Sequence, residues 1–209
     1  MTKTTPYEAQ CGLLMQKQIE LNVDYDPLGT DIAQAYDTLM EYFTKDEHFL
    51  KRDSSYSFHK GLLLMGNIGC GKTLMMKMFS TNLVNNYQVI NCRKIASEFA
   101  IHGDEGIQKY FEVTTSNLSG LGYGRACMRS ICFDDLGTEP DKKYFGQEVN
   151  VILEVMLRRY DNGDFTRTHA TTNLTPGEIK SRYGERLTSR FREMFNLIKF
   201  PANSPDRRK

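Results

Sequence analysis

The segment Gly66-Asn67-Ile68-Gly69-Cys70-Gly71-Lys72-Thr73 constrains this chain more than any other, because it fits G-x-x-x-x-G-K-[ST] at every position. It directly follows Gly61-Leu62-Leu63-Leu64-Met65, a continuously apolar run of the kind that a strand buried on both faces requires. A helix is predicted to start at Lys72. A strand that turns through glycines into a helix N-terminus aims successive main-chain N–H groups, and the positive end of the helix dipole, at a single point. Phosphate is the ligand that suits such a cradle. Residues 66–73 are therefore expected to hold a nucleoside triphosphate, with Lys72 reaching the β- and γ-phosphates and the Thr73 hydroxyl ligating Mg²⁺.

A second motif complements the first. Ile131-Cys132-Phe133-Asp134-Asp135 reads as an apolar strand ending in two acids. Asp134 is expected beside Thr73, where it can hold Mg²⁺ through water, and Asp135 is expected to orient or deprotonate the attacking water. Thr168-His169-Ala170-Thr171-Thr172 reads as another strand, with Asn173 just past its end. In a parallel sheet all strand C-termini open on one edge, so Asn173 should approach the γ-phosphate and the water with an amide that both donates and accepts. A plain Asn-Leu-Thr-Pro turn is the alternative at that position. Arg182, Arg186 and Arg190 recur every four residues on a basic helix predicted over about 183–194, beside an apolar face of Tyr183, Leu187 and Phe191. They form either a solvated face paired with acids such as Glu178, or a source of one arginine for a triphosphate held by a neighbouring subunit.

The rest of the pattern alternates strands and helices, as in a sheet with helices on both sides. Strands are expected near 87–92 and 197–200, giving about five in one parallel sheet, a three-layer α/β/α arrangement. Helices are expected over about 94–113 and from about Phe145 to Asn162-Gly163, with residues 114–124 as loop. Another strand is expected to separate the two motif strands within the sheet. Upstream, Thr5-Pro6-Tyr7-Glu8 has the form of a capping box, followed by an apolar stripe of Tyr7, Cys11, Met15 and Ile19. Asp26-Pro27-Leu28-Gly29 interrupts it, and a second helix follows with Ala33, Tyr36, Met40 and Phe43 on one face. Lys51 to Ser55 reads as a polar connection. The chain thus divides into a helical extension over 1–57, expected to contact a partner, and a core over 58–209.

Composition narrows the function classes. Among 209 residues, 27 Lys and Arg face 26 Asp and Glu, yet the charge is uneven. From Leu157 onward twelve basic residues oppose six acidic ones, a net of +6, which leaves −5 for residues 1–156 against the total of +1. Such a basic quarter suits a phosphate-bearing partner. The five cysteines are scattered without a Cys-x-x-Cys pair, which argues against zinc or a disulfide framework and for reduced thiols. No apolar run approaches the roughly 20 residues of a membrane helix. The start of the chain lacks an apolar signal core, so a cytoplasmic location without membrane contact is expected.

Four blocks occur in one order: Gly66–Thr73, Phe133-Asp134-Asp135-Leu136-Gly137-Thr138-Glu139, Ala170-Thr171-Thr172-Asn173, and Tyr183-Gly184-Glu185-Arg186-Leu187-Thr188-Ser189-Arg190-Phe191. Together they make the chain, over about 58–201, resemble the DnaC/IstB-like AAA+ ATPases, which comprise replicative helicase loaders and transposase helper ATPases. The resemblance implies an AAA+ core with ATP and Mg²⁺ at subunit junctions, Asn173 as a sensor, and Arg190 as an arginine finger acting in trans, with Arg186 in reserve. It also implies assembly into a homo-oligomer on DNA, often single-stranded, and delivery of a helicase or transposase. Only Ala202–Lys209 follow the last strand, so no C-terminal helical lid is expected, a feature shared with loader-type relatives. Three rivals are weighed against it. A nucleoside or nucleotide kinase fits the doubled acid and Asn173 less well, since these suit water as the acceptor. An ABC-type ATPase, prompted by Leu118-Ser119-Gly120, fails on spacing. A non-hydrolysing nucleotide switch stays open.

Overall fold

The computed structural model describes residues 4–24, 26–27, 30–115, 126–144 and 147–208. The first part is helical: α1 (Pro6–Leu21), α2 (Ala33–Thr44) and α3 (His48–Arg52). There follow β1 (Gly61–Met65), α4 (Lys72–Met78), β2 (Gln88–Asn91), α5 (Cys92–His102), α6 (Asp104–Gln108), and an antiparallel pair, β3 (Val113–Thr115) with β4 (Ala126–Met128). The chain continues with β5 (Ile131–Leu136), a hairpin of β6 (Lys142–Tyr144) and β7 (Gln147–Val149), α7 (Val151–Asn162), β8 (Thr168–Thr172), α8 (Pro176–Met194) and β9 (Phe195–Lys199).

Five strands form one parallel sheet in the order β2-β5-β8-β1-β9, flanked by helices on both faces. The expected three-layer architecture with five strands is therefore present. The strand that separates β1 from β5 is β8, whereas β2, which lies between them in sequence, is at the far edge. Alternation along each strand builds two cores. Leu62 and Leu64 of β1, with Cys132 and Ile198, face α1–α4 and an aromatic group of Tyr42, Phe43, Phe49, Phe79 and Tyr87. Leu63, Met65, Ile131, Phe133 and Ala170 face α5, α7 and α8.

Several elements differ from the sequence reading for physical reasons. The capping box of α1 forms as expected, but Tyr7, Met15 and Ile19 are exposed, Ile19 at 81%. The docked face is set instead by Leu14 and by Gln10, whose amide donates to Thr81 O (3.4 Å) and accepts from Leu83 N–H (3.2 Å). Lys51 and Arg52 close the short α3 rather than lying in a connection, and Arg52 pairs with Glu41 (2.5 Å). The helix expected over 94–113 divides at Gly103 into α5 and α6. The helix expected from Phe145 begins at Val151, capped by the Asn150 side chain on Leu153 N–H (3.0 Å), because β6 and β7 take up the preceding residues. Position 145 itself, like Leu118-Ser119-Gly120, lies outside the described residues.

The basic helix is longer than expected and is not one rod. It starts at a capping box formed by Thr175 and Glu178 and breaks at Gly184 (φ 80°, ψ 170°), a conformation that favours glycine. Arg182 therefore precedes the break, and only Arg186 and Arg190 share a continuous turn. Glu178 is committed to the cap, so the pairing of Glu178 with Arg182 does not form. Among the described residues, no helix is long and apolar enough to cross a membrane.

Candidate functional site

The loop between β1 and α4 lies at the C-terminal edge of the sheet. Lys72 opens α4, and its buried ammonium donates to the carbonyls of Gly66 and Asn67, each at 2.7 Å. One residue on, the Thr73 hydroxyl donates to Asp134 Oδ1 (2.7 Å), which also accepts from the Thr171 hydroxyl (2.7 Å). The first motif, the second motif and the end of β8 thus meet on one carboxylate oxygen. All five cysteines are free, and Cys70 is buried within the loop.

Asp134 and Asp135 would point to opposite sides of a regular strand. Here β5 shifts register against β8 between Phe133 and Leu136, and Asp135 takes a left-handed conformation (φ 56°). Aspartate is among the few side chains that tolerate this conformation, and such a kink re-aims a side chain at a strand end. The Asp135 N–H, taken out of the ladder, donates to the Thr171 hydroxyl (3.0 Å), and the carboxylate turns into the pocket, where Asn91 Nδ2 donates to it (3.3 Å). Asn173 lines the same pocket, and its buried Oδ1 has no hydrogen-bond partner among the described residues.

The pocket has a volume of about 540 Å³, within the range of small-molecule sites. Of the residues singled out in the sequence, Ile68, Gly69, Gly71, Lys72, Thr73, Asp135 and Asn173 line it. Gly66, Asn67, Cys70 and Asp134 are not among its lining residues; the Asn67 amide donates to Ala202 O (2.6 Å), and Asp134 accepts from the Thr73 hydroxyl. Neither Arg186 nor Arg190 lines it. Arg186 is exposed, whereas Arg190 lies over the Tyr160 ring (4.4 Å) and 3.8 Å from Asp161, with one guanidinium nitrogen buried and unpaired among the described residues. Sequence reasoning missed Asn91, Arg93, Arg207 and Arg208, which complete the wall together with Leu74, Lys77 and Thr138. Asn91 was findable only with the sheet order, since it becomes relevant because β2 pairs with β5.

The donor set suits Mg²⁺. Thr73 and Asp134 offer hard oxygens, and this ion typically takes one or two protein oxygens and completes its shell with phosphate and water. Among the described residues, no group of three or more His, Cys, Asp or Glu could hold a metal alone.

A glycine cradle after a buried strand, a lysine at the helix start and an acid pair on a non-adjacent strand define an α/β P-loop nucleotide-binding domain. The ATPase family associated with various cellular activities (AAA) matches residues 62–198. The chain belongs to this family, so the domain is a nucleotide-binding ATPase domain. Comparison with curated proteins returns no significant match.

Proposed function

We propose that this chain is a DnaC/IstB-like ATPase that binds Mg·ATP, hydrolyses it slowly until assembled, and loads or assists a helicase or transposase on DNA. One contact supports the subfamily most directly. Glu139, the last residue of the 133–139 block, is buried, accepts from Gly137 N–H (2.8 Å), and is held by Arg182 (3.2 Å) and the Tyr183 hydroxyl. Two of the four blocks of the resemblance, 133–139 and 183–191, therefore meet at the contact between Glu139 and Tyr183.

Hydrolysis follows from positioning and charge. Lys72 exchanges its loop carbonyls for phosphate oxygens. Thr73 and Asp134 would hold Mg²⁺, whose charge offsets that of the phosphates. Asp135 accepts the proton of the attacking water, which Asn173 orients, and Asn91 holds the Asp135 carboxylate. Arg190, or Arg186 in its place, acts on the triphosphate of a neighbouring subunit, consistent with neither lining its own pocket. Direct DNA contact draws less support from charge than the composition suggests. Arg158, Arg167, Arg182, Arg190 and Arg207 each lie within 4.0 Å of a carboxylate of this chain.

The test is an Asp135→Asn variant. It should retain ATP, lose turnover by about 100-fold on the scale of a lost general base, and hold helicase or transposase in an ATP-dependent pull-down. Unchanged turnover would remove Asp135 from the reaction. If the unaltered chain shows no turnover with or without single-stranded DNA but binds partner in an ATP-dependent way, the chain is a switch.

A further inference from the structure

The chain past β9 folds back over the phosphate loop. Phe200 N–H donates to Met65 O (2.8 Å), extending the ladder by one residue, and a turn closed by Ser204 N–H on Pro201 O (3.1 Å) reverses direction. Buried Ser204 donates its hydroxyl to Asp31. Arg207 then grips the loop twice, its main-chain N–H donating to Gly69 O (3.0 Å) and its guanidinium to Cys70 O (2.9 Å), while the same guanidinium pairs with Asp31. Asp206 lies so close to Gly69 that a Cβ there would stand 2.0 Å from its carboxylate, and the Gly69 φ of +77° already favours glycine. The Ser204 hydroxyl, aided by Arg207, holds the Asp31 carboxyl below its usual range.

A phosphate cradle works only if its peptide N–H groups face inward, which turns the carbonyls outward. Outward carbonyls need partners, or the peptides gain freedom to flip. Lys72 takes those of Gly66 and Asn67, and Arg207 takes those of Gly69 and Cys70. The first pair is released when Lys72 turns to phosphate; the second pair stays held. A guanidinium can reach a carbonyl and a carboxylate together because its donors lie in a planar fork, which a lysine ammonium does not offer. Arg207 and Arg208 also line the pocket, where positive charge favours a triphosphate.

We propose that residues 200–208 are a strap that completes the nucleotide site in cis. Arg207 is a positioning residue that holds the phosphate-loop peptides in their binding orientation from an anchor on Asp31, and Arg208 supplies cationic charge at the rim. The inference rests on the reading that this pocket takes a nucleoside triphosphate.

The experiment measures affinity for a fluorescent ATP analogue and its ADP counterpart with the full chain and with Arg207→Ala, Arg207→Lys, Arg208→Ala, Asp31→Asn and Lys72→Ala. Melting is recorded without nucleotide in parallel. Arg207→Ala should weaken ATP binding about tenfold, the scale of one charge-assisted hydrogen bond. Arg207→Lys should recover less than half of that loss. Asp31→Asn and Arg208→Ala should each weaken binding about threefold, as loss of a partly exposed charge contact would, and Arg208→Ala should affect ATP more than ADP. Nucleotide-free melting should stay near that of the parent for Arg207→Ala. ATP affinity unchanged in Arg207→Ala, full recovery by lysine, or a binding loss that tracks lost melting temperature would each overturn the strap. If the parent chain binds no nucleotide, or Lys72→Ala binds as well as the parent, the nucleotide reading fails and the strap falls with it.

Discussion

Lys72 and Arg159 are both buried cations, and they occupy opposite edges of the same sheet. Each is surrounded by main-chain carbonyls rather than by a carboxylate. Lys72 holds two carbonyls of its own loop, five and six residues away. Arg159 of α7 reaches Tyr110 O (2.5 Å), Arg129 O (3.0 Å), Arg167 O (2.7 Å) and the Thr168 hydroxyl (2.8 Å), and lies over the Phe133 ring (5.3 Å). It therefore ties together the segments that lead into β3, β5 and β8. Burial pushes its guanidinium down to about 9, still charged at neutral pH. A third buried base, His169 on β8, meets burial differently. Its Nδ1 accepts from Leu62 N–H (3.1 Å), and desolvation pushes the imidazole down to about 3, so it remains neutral. The lesson is that burial alone does not mark function. Lys72 lines a pocket and holds carbonyls of its own loop, which it is proposed to exchange for phosphate, whereas Arg159 bridges segments 8 to 49 positions away.

Three measurements test this contrast. Lys72→Ala should weaken nucleotide binding by about 100-fold, as expected when charge-assisted contacts to phosphate are lost. It should change stability little, because Gly66 is half-buried and Asn67 exposed, so that water can take up the freed carbonyls; titration calorimetry alongside denaturant unfolding reads both. Arg159→Met should do the reverse, costing about 3 kcal/mol by leaving buried acceptors unpaired. That corresponds to a drop of roughly 10 °C in melting temperature, with nucleotide affinity preserved at temperatures where the chain is folded. If both variants unfolded the chain equally, the distinction would be lost. The smallest effect concerns His169. With a folded value near 3 against roughly 6.5 unfolded, its contribution is complete above about pH 6.5 and is lost as pH falls toward 3. The slope is at most about 1.4 kcal/mol per pH unit. Replacing His169 with Asn should flatten the unfolding free energy between pH 6 and 4 by about that one-proton slope.

Much of the candidate site was legible because its chemistry is local. Gly66–Thr73 specifies a turn, a helix start, a cation and a hydroxyl within eight consecutive residues. Asp134, Asp135 and Asn173 were legible because strand ends in a parallel sheet share one edge. The kink that turns Asp135 into the pocket was not, since it depends on the register of β5 against β8. The exposed stripe of α1 misled for a related reason. A spacing of four shows that Tyr7, Cys11, Met15 and Ile19 share a face, but not how much of that face is covered, and of the four only Cys11, beside Gln10 and Leu14, is docked. The spacing of Arg182 from Arg186 misled because a single glycine at 184 ends one helical segment and begins another.

The class of fold and the loop proposed to grip phosphate could be read from the chain alone, because both are written in contiguous runs whose hydrogen bonding is satisfied over a few residues. Which distant residues complete that loop depends on how the sheet assembles. Asn91 reaches Asp135 across 44 positions, Glu139 reaches Tyr183 across 44, and Arg207 reaches Asp31 across 176. Contacts of that separation leave no local periodicity, since their energy is gained only once the sheet has brought distant segments to a common edge.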